Sequence, residues 1–132
     1  MAWVEKWLGY PAADCAALAR EVLASEFGIH VDLPAAPGGV RANDAAVRRG
    51  LTYKIARPLE GAETARDGDG VLMKSAGRRC AIGHHIGLWV DLDGQPACLH
   101  WRPALGGVLN LIRDLPAREM QVTGLYRWKP SP

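Results

Sequence analysis

The sequence predicts an α+β fold in which N-terminal helices pack on an antiparallel sheet. The strongest helical pattern lies over residues 14–27, and the second half of the chain contains short apolar runs separated by turn signals. The clearest pair of runs is joined by Asp93-Gly94, a dipeptide that favours a two-residue hairpin turn. Helices followed by consecutive strands are typical of the α+β class. With 132 residues, 48% of them hydrophobic, residues 1–132 are expected to form a single domain.

The predicted helices lie in the first third of the chain. A short helix is expected over 3–8, where it is followed by a glycine. The longer helix over 14–27 begins at Asp14, a favoured N-cap residue, and its apolar residues recur at i, i+4 spacing. Gly28 follows it, where a glycine commonly ends a helix. A further short helix is expected over 43–49.

The strands are predicted from apolar runs and from the turn residues at their ends. The segment 57–68 is polar and rich in glycine, so it is expected to be a loop. Strands are then predicted over 70–73, 85–90, 95–101, 108–113 and 121–128. Together they are expected to form the antiparallel sheet.

Composition and charge exclude several classes of protein. The net charge is +2, which is too weak a basic bias to indicate a nucleic-acid surface. No apolar run is long enough for a membrane span, and the first residues lack the pattern of a signal peptide. The three cysteines cannot all pair, so we expect free thiols in a reducing cytoplasm and no disulfide framework. No cofactor is expected.

Cys15 is the first candidate for chemistry, because it follows Asp14 at the start of the long predicted helix. The positive end of the helix dipole favours the thiolate form of a cysteine there. The backbone N–H groups at this end could also hold an oxyanion. A small apolar residue at the start of a buried helix would occupy the same position, so both interpretations stay open on position alone.

The predicted hairpin places two histidines on one face of the sheet. With a two-residue loop, Gly87 opposes His100 and Trp89 opposes Cys98. Since side chains alternate, His85 shares the face of Gly87, diagonal to His100 at about 7–8 Å between backbones. Gly87 is expected to leave room between the two imidazoles, and the other face is apolar and suits a core. Two unrelated surface histidines are the alternative.

A cysteine at a helix start and a histidine on a sheet are the groups that thiol catalysis requires. In this arrangement Cys15 is the nucleophile and His85 is the base that takes the thiol proton. His100 is the third group, which orients the imidazole of His85.

A zinc site is the competing interpretation of the same region. Its four ligands would be Cys80, His84, Cys98 and His100. Their spacings match no regular structural zinc pattern, so no metal is expected.

Five stretches of the chain, in order, resemble one protein family. They are 3–18 with Asp14-Cys15 opening a helix, 68–73 with Gly-Asp before an apolar strand, 85–90 with a leading histidine, 98–100 ending in a histidine, and 124–127. They resemble the phage-tail members of the NlpC family, which are papain-like cysteine peptidases of the bacterial cell wall. The resemblance favours His85 over His84 as the base, because His85 starts the strand.

The resemblance implies a papain-like, NlpC-type fold and an enzyme that cuts peptidoglycan stem peptides, often between D-glutamate and diaminopimelate. It implies that Cys15, His85 and His100 are catalytic and that the Cys15 N–H helps to hold the oxyanion. Asp14 and Tyr10 are the substrate-binding residues it suggests, although the family's aromatic follows the proline and Tyr10 precedes it.

The chain departs from the family around the nucleophile. Ala16-Ala17 stand where the family usually has Ser-Gly or Trp-Gly, and the glycine-rich stretch before Asp14 is missing. These changes lie on the substrate side of the expected site and put the peptide specificity in question.

The resemblance also implies partners and a location. The substrate is a peptidoglycan peptide, and the expected protein partners are phage tail-tip or hub proteins, with no nucleic acid and no membrane insertion. A chain made in the bacterial cytoplasm would then reach the wall as part of a virion tail. The alternative function is that of a structural tail-hub subunit that cuts little or nothing.

Overall fold

The structure is a computed structural model that describes residues 2–33, 55–75 and 84–129. The helix predicted over 43–49 and the thiol of Cys80 lie outside these ranges. The described chain has two α-helices, α1 (Ala2–Glu5) and α2 (Cys15–Phe27). Its strands are β1 (Ala56–Pro58), β2 (Gly70–Ser75), β3 (His84–Leu92), β4 (Gln95–Arg102), β5 (Gly106–Leu111) and β6 (Met120–Trp128). Single turns of 3-10 helix at Ile112–Asp114 and Pro116–Arg118 lie between β5 and β6.

These strands form one antiparallel sheet in the order β1-β6-β2-β3-β4-β5. Strands β2 to β5 follow one another across it, and β6 returns to pair with the other edge of β2. The predicted hairpin is confirmed, because Asp93 and Gly94 have φ values of 51° and 92° and Trp89 opposes Cys98. Two consecutive positive φ angles are typical of a type I′ turn, which matches the twist of the strands it joins.

The predicted α+β fold with N-terminal helices packed on the sheet is wrong. The papain-like, NlpC-type architecture that the resemblance implied is wrong for the same reason. The described residues form mostly the six-stranded antiparallel sheet, and α2 is their one helix longer than seven residues. The helix expected over 3–8 is reduced to the four residues of α1, because so short a helix is marginal without extensive packing. Within the described ranges, no helix has the length and apolar character needed to span a bilayer.

Five of the strands lie where the sequence predicts them, with ends that differ by at most two residues. The exception is β1, which falls partly in the segment 57–68 that was expected to be a loop. Its three residues pair with β6, with Ala56 opposite Trp128. A strand of three residues is too short to show an alternating apolar pattern, so it cannot be recognised from the sequence. This edge strand is defined by its pairing with β6.

The main core lies between α2 and the sheet. Helix α2 contributes Leu18, Val22 and Leu23, each at most 2% exposed, and ends at Gly28 with φ 64°, the predicted left-handed cap. Alternate residues of β3 and β4 complete this core: Ile86, Leu88, Val90, Ala97 and Leu99. The face of the hairpin predicted to be apolar is therefore the face that α2 covers.

The opposite face of the sheet carries a second apolar cluster. It consists of Val71, Met73, Cys98, Leu115 and Met120. Leu115 is fully buried although it lies between the two 3-10 turns, so the connection from β5 to β6 covers part of this face. The sequence analysis missed this layer, because it treated the start of that connection, residues 112 and 113, as part of a strand.

The chain that precedes α2 is attached to the edge strand β5. The Gly9 N–H donates to the Gly107 carbonyl at 2.8 Å, and the Gly107 N–H donates to the Tyr10 carbonyl at 3.1 Å. A Cβ atom on Gly107 would collide with the carbonyl oxygen of Trp7, so the two backbones approach this closely because residue 107 is glycine. The contact fixes the position at which α2 begins.

An ion-pair network joins the loop before β2 to β1 and β6. Glu63 accepts hydrogen bonds from Arg57 at 2.7 and 2.9 Å and from Arg127 at 3.2 Å. Arg127 also donates to both carboxylate oxygens of the buried Asp69, at 3.1 and 2.8 Å. The hydrogen bonds from Arg57, and then the bond from the Glu60 N–H, lower the pKa of Glu63 to about 2.

Glu63 is expected to make the stability of the protein depend on pH in the acid range. Since its folded pKa lies below the ordinary 4.5, its contribution is complete above about pH 4.5 and is lost as the pH falls through about 2. Glu63→Gln should lower the urea midpoint at neutral pH by a modest amount, because the network is partly exposed. The difference from wild type should vanish near pH 2.

Urea denaturation of both proteins across this pH range measures the effect. Glu60→Gln, which neutralises an exposed carboxylate on the same turn, is the matched control. A deficit of Glu63→Gln that stays constant down to pH 2 would show that the carboxylate charge is not what stabilises the loop.

Candidate active site

Cys15 is the first residue of α2 and is 3% exposed. Asp14 is the N-cap, as predicted: its backbone is extended, and its Oδ1 accepts the Ala17 N–H at 2.7 Å. The Asp14 carbonyl accepts the Leu18 N–H at 3.0 Å. Because Asp14 accepts these two donors, the N–H groups of Ala17 and Leu18 are not available to an oxyanion, a role that the resemblance assigns to the Cys15 N–H.

Substitutions at Asp14 separate a capping role from a substrate-binding role. Asp14→Ala removes the acceptor for the Ala17 N–H and should lower the free energy of unfolding by about 1 kcal/mol. Asp14→Asn keeps a good capping group and should unfold close to wild type, which chemical denaturation would measure. If the carboxylate also binds substrate, Asp14→Asn should raise KM for a stem peptide at unchanged stability. An unchanged KM would refute the substrate-binding role.

His85 and His100 share the face of the sheet opposite α2. His85 pairs with Met73 of β2, and His100 lies two residues beyond Cys98 on β4. Met73 and Cys98 belong to the second apolar cluster, and strand alternation places each histidine on the same side as these neighbours. The shared face is the one that the hairpin register predicts.

Strands β3 and β4 cease to pair before they reach the histidines. Their ladder ends at Leu88 opposite Leu99. Beyond that pair, the described part of β3 continues beside β2, and β4 continues beside β5. The predicted pair of Gly87 and His100 is not part of this ladder.

The space above Gly87 is occupied by other side chains. A Cβ atom there would meet the Leu99 carbonyl oxygen at 2.9 Å and Met73 Cε at 3.1 Å, and it would come closer still to the sulfur of Cys98. Gly87 thus accommodates Cys98 and Met73, and the expectation that it leaves a gap between the imidazoles is wrong. Burial raises the pKa of the Cys98 thiol far above its ordinary range, which suits a packing role.

His100 is held as a neutral imidazole in the interior. It is 1% exposed, and its Nε2 lies 2.8 Å from Oδ1 of Asn110. An amide oxygen only accepts hydrogen bonds, so this contact assigns the hydrogen to Nε2 and makes Nδ1 an acceptor. Burial lowers the pKa of His100, the bond to Asn110 partly opposes this, and the nearby charges of Arg102 and His85 lower the pKa further.

The second ring nitrogen of His100 has an unmet hydrogen-bonding requirement. Nδ1 is buried and has no hydrogen-bond partner among the described residues. A buried acceptor in this state costs about 1–3 kcal/mol, and such groups are rare in folded proteins.

His85 is half-buried, and its Nε2 lies 3.3 Å from the hydroxyl of Ser75. Ser75 is the last residue of β2, and Asn110 lies near the end of β5. The sequence analysis missed both, since it aligned only β3 with β4 and could not supply the register of the outer strands. The sequence did contain a signal for both residues, since each is a polar residue within or at the end of a mostly apolar strand.

The segment that leads into α2 is attached near the end of the sheet where the two histidines lie. The segment before α2 is bonded to Gly107, which neighbours Val108, the residue opposite His100. Cys15 belongs to the core between α2 and the sheet, whereas the histidines lie on the other face.

Tyr10 lies farther from the start of α2 than its place in the sequence suggests. Its hydroxyl contacts a carboxylate oxygen of Glu21 at 3.1 Å, and its ring packs edge-on against Trp7 at 4.8 Å. Glu21 follows Cys15 by six residues, which is about 9 Å along a helix. The substrate-binding role of Tyr10 stays a prediction, and its hydroxyl is directed toward the middle of α2.

The alternative zinc site has little to support it in the described part of the chain. No group of three His, Cys, Asp or Glu residues there is arranged to hold a metal ion. Of the four suggested ligands, Cys98 is packed beside Gly87 and His100 directs Nε2 at Asn110. Cys80 lies outside the described residues.

Comparisons of the chain with protein-family models and with curated proteins find no match. The chemistry therefore has to be argued from the site. It offers a cysteine at a capped helix start, a half-buried histidine bonded to a serine, and a neutral buried histidine bonded to an asparagine.

Proposed function

We propose that this chain is a cysteine endopeptidase that cleaves peptidoglycan stem peptides, the activity that the NlpC resemblance implies. The observation that carries the proposal is the position of Cys15 at the capped start of α2, after a segment that is bonded to β5 at the end of the sheet where His85 and His100 lie. Thiol catalysis needs a nucleophile, a base and a group that orients the base, and these three residues supply them.

The proposed reaction proceeds through a thioester. His85 takes the proton of the Cys15 thiol, and the thiolate attacks the carbonyl carbon of the scissile peptide bond. The C–N bond then breaks as the leaving amine takes the proton from His85, and the acyl group stays on the Cys15 sulfur. Water, deprotonated by His85, hydrolyses the thioester and releases the second product.

His100 supports His85 in this scheme and does not touch the substrate. Because burial lowers the pKa of His100, this imidazole stays neutral and does not itself take the proton from Cys15. A neutral His100 can also accept a hydrogen bond, which is what an orienting group must do for an imidazole base.

The setting of this activity is also proposed from the resemblance. A phage or prophage tail would carry the chain from the bacterial cytoplasm to the wall, with tail-tip or hub proteins as partners. The weak net charge of +2 is consistent with protein and peptide partners, and not with a nucleic acid.

A structural tail-hub subunit without peptidase activity is the second candidate. The observation that favours it is burial, since Cys15 is 3% exposed and His100 is 1% exposed. A substrate carbonyl must reach the sulfur, so the endopeptidase requires the start of α2 to become accessible, whereas a structural subunit does not.

Two assays on the purified protein separate these candidates. Incubation with peptidoglycan, followed by mass spectrometry of released peptides, should detect cleaved stem peptides. Iodoacetamide labelling should modify Cys15 faster than the buried Cys98, and below the pH at which a free thiol reacts. Slow labelling of Cys15, no released peptides and a stable complex with tail proteins would favour the structural subunit.

A further inference from the structure

We propose that a cavity at the hairpin end of the sheet binds an N-acetylhexosamine unit of a glycan strand. The cavity has a volume of about 340 Å³ and lies between the β3–β4 hairpin and the end of β5. The choice of ligand rests on the proposed function, because peptidoglycan is a chain of N-acetylated sugars that carries the stem peptides. Neither Cys15 nor the two histidines are among the described residues that line this cavity.

Trp89 gives the cavity a rigid aromatic wall. It opposes Cys98 and packs against the second apolar cluster, so its side chain lies on the face away from α2. Its backbone is fixed as well, because its N–H donates to the Asp69 carbonyl at 2.7 Å and its carbonyl accepts the Gly68 N–H at 2.9 Å. An indole held in this way is a preformed surface for the C–H groups of a sugar ring, and little conformational entropy is lost when the sugar binds.

The indole N–H of Trp89 is an unused hydrogen-bond donor. It contacts no acceptor in the described part of the chain, whereas those of three other tryptophans, Trp3, Trp7 and Trp128, all donate. Trp89 is half-buried, and the N–H of such an indole usually has a hydrogen-bond partner. A hydroxyl or acetamido oxygen of a bound sugar would supply that acceptor.

Two exposed side chains add donors to a lining that is otherwise apolar. They are Gln95 and Arg113, and Arg113 forms no ion pair with a described residue. Their amide and guanidinium N–H groups are therefore available to ligand oxygens. The apolar part of the lining includes Pro96, Leu111 and Ile112. An N-acetylhexosamine matches this set, because it has an apolar ring face, a methyl group and several acceptor oxygens.

The same lining disfavours other classes of ligand. The seven described residues that form it include one cation, whereas a nucleic acid requires a cluster of basic groups. A lipid chain would leave the indole, amide and guanidinium donors without acceptors. A typical protein interface takes about 20–30 residues from each side, which is far more than this cavity provides.

The test uses the trimer of N-acetylglucosamine, which contains no stem peptide and is therefore not a substrate of the proposed peptidase. Proton–nitrogen NMR spectra follow the Trp89 indole and the Gly94 amide, both of which line the cavity, during titration. Arg113→Ala removes the guanidinium, and Trp89→Phe keeps an aromatic ring without its N–H. Arg118→Ala is the matched control, because Arg118 is an exposed arginine on the next 3-10 turn and is not among the lining residues.

Saturable shifts are expected in wild type and in Arg118→Ala at similar trimer concentrations. Arg113→Ala and Trp89→Phe should each bind about 3- to 10-fold more weakly, because each loses one hydrogen bond. Three results would overturn the assignment: no saturable shift in wild type, equal affinity in all four proteins, or tighter binding of a sugar-free stem peptide at the same resonances.

The binding assay and the cleavage assay fail independently. Trimer binding without cleavage of stem peptides would contradict the proposed function and leave the cavity assigned to a sugar. Cleavage of stem peptides without trimer binding would contradict the sugar site and leave the proposed function in place.

Discussion

Replacing Cys15 with serine is expected to reduce the cleavage of a stem peptide by about a thousandfold or more. A serine hydroxyl is a far weaker acid than a thiol and is not ionised before attack as a thiolate is, and loss of the nucleophile removes most of the rate of a covalent mechanism. The substitution is nearly isosteric, and Cys15 begins α2, where serine is well tolerated. The fold should therefore be kept while the rate is lost.

The measurement is the initial rate of product formation for wild type and Cys15→Ser at equal concentration. Cys98→Ala is the matched control, because it removes a second thiol that is fully buried and has no part in the proposed reaction. Circular dichroism melting curves confirm that all three proteins are folded. Equal rates for wild type and Cys15→Ser would rule out Cys15 as the nucleophile.

Replacing Gly107 with alanine is expected to destabilise the protein by about 1–3 kcal/mol and to impair the site at the same time. The added Cβ would collide with the carbonyl oxygen of Trp7, which is backbone and cannot rotate away. Relief requires the segment of residues 7–10 to move from β5, and that breaks its hydrogen bonds to Gly107. Since this segment leads directly into α2, the start of the helix should shift with it.

Urea denaturation and stem-peptide kinetics measure the two effects together. Gly124→Ala is the matched control, because a Cβ there would meet only the outer ring atoms of Tyr126, which can move aside. Gly107→Ala should be less stable than Gly124→Ala and should have a lower kcat. If Gly107→Ala is as stable as the control, the close approach of the N-terminal segment to β5 is not as described.

The sequence predicted the local elements well where a physical signal was strong. Asp14 and Gly28 bound α2 as expected, because a capping side chain and a left-handed glycine are local requirements. Asp93-Gly94 set the hairpin and the pairing of Trp89 with Cys98, because a two-residue turn fixes the register of its strands.

The sequence analysis failed where the structure depends on contacts between distant segments. The short helix over 3–8 shrank to α1, since the chain after it bonds to Gly107, and nothing local to residues 3–8 indicates that contact. The hairpin register was extended to Gly87 and His100, whereas the ladder of β3 with β4 ends at Leu88 opposite Leu99.

Contacts between distant segments also limited the prediction of the candidate site. Cys15, His85 and His100 were singled out from the sequence, because a helix start and alternating strand positions are visible there. Ser75 and Asn110 were not, because they become neighbours of the histidines only through the pairing of β2 and β5. The predicted roles of Asp14 and Tyr10 toward substrate stay predictions, with the bonds to Ala17 and Glu21 as their observed contacts.

The most direct test of the proposed function is the capture of the covalent intermediate. Wild-type protein is mixed with a stem peptide, quenched in acid within the first turnovers, digested and examined by mass spectrometry. The expected result is an acyl group on the Cys15 sulfur, absent from Cys15→Ser, whose mass is that of the fragment bearing the carbonyl of the cleaved bond less one water. Cleavage with no adduct on Cys15, or no cleavage at all, would contradict the account.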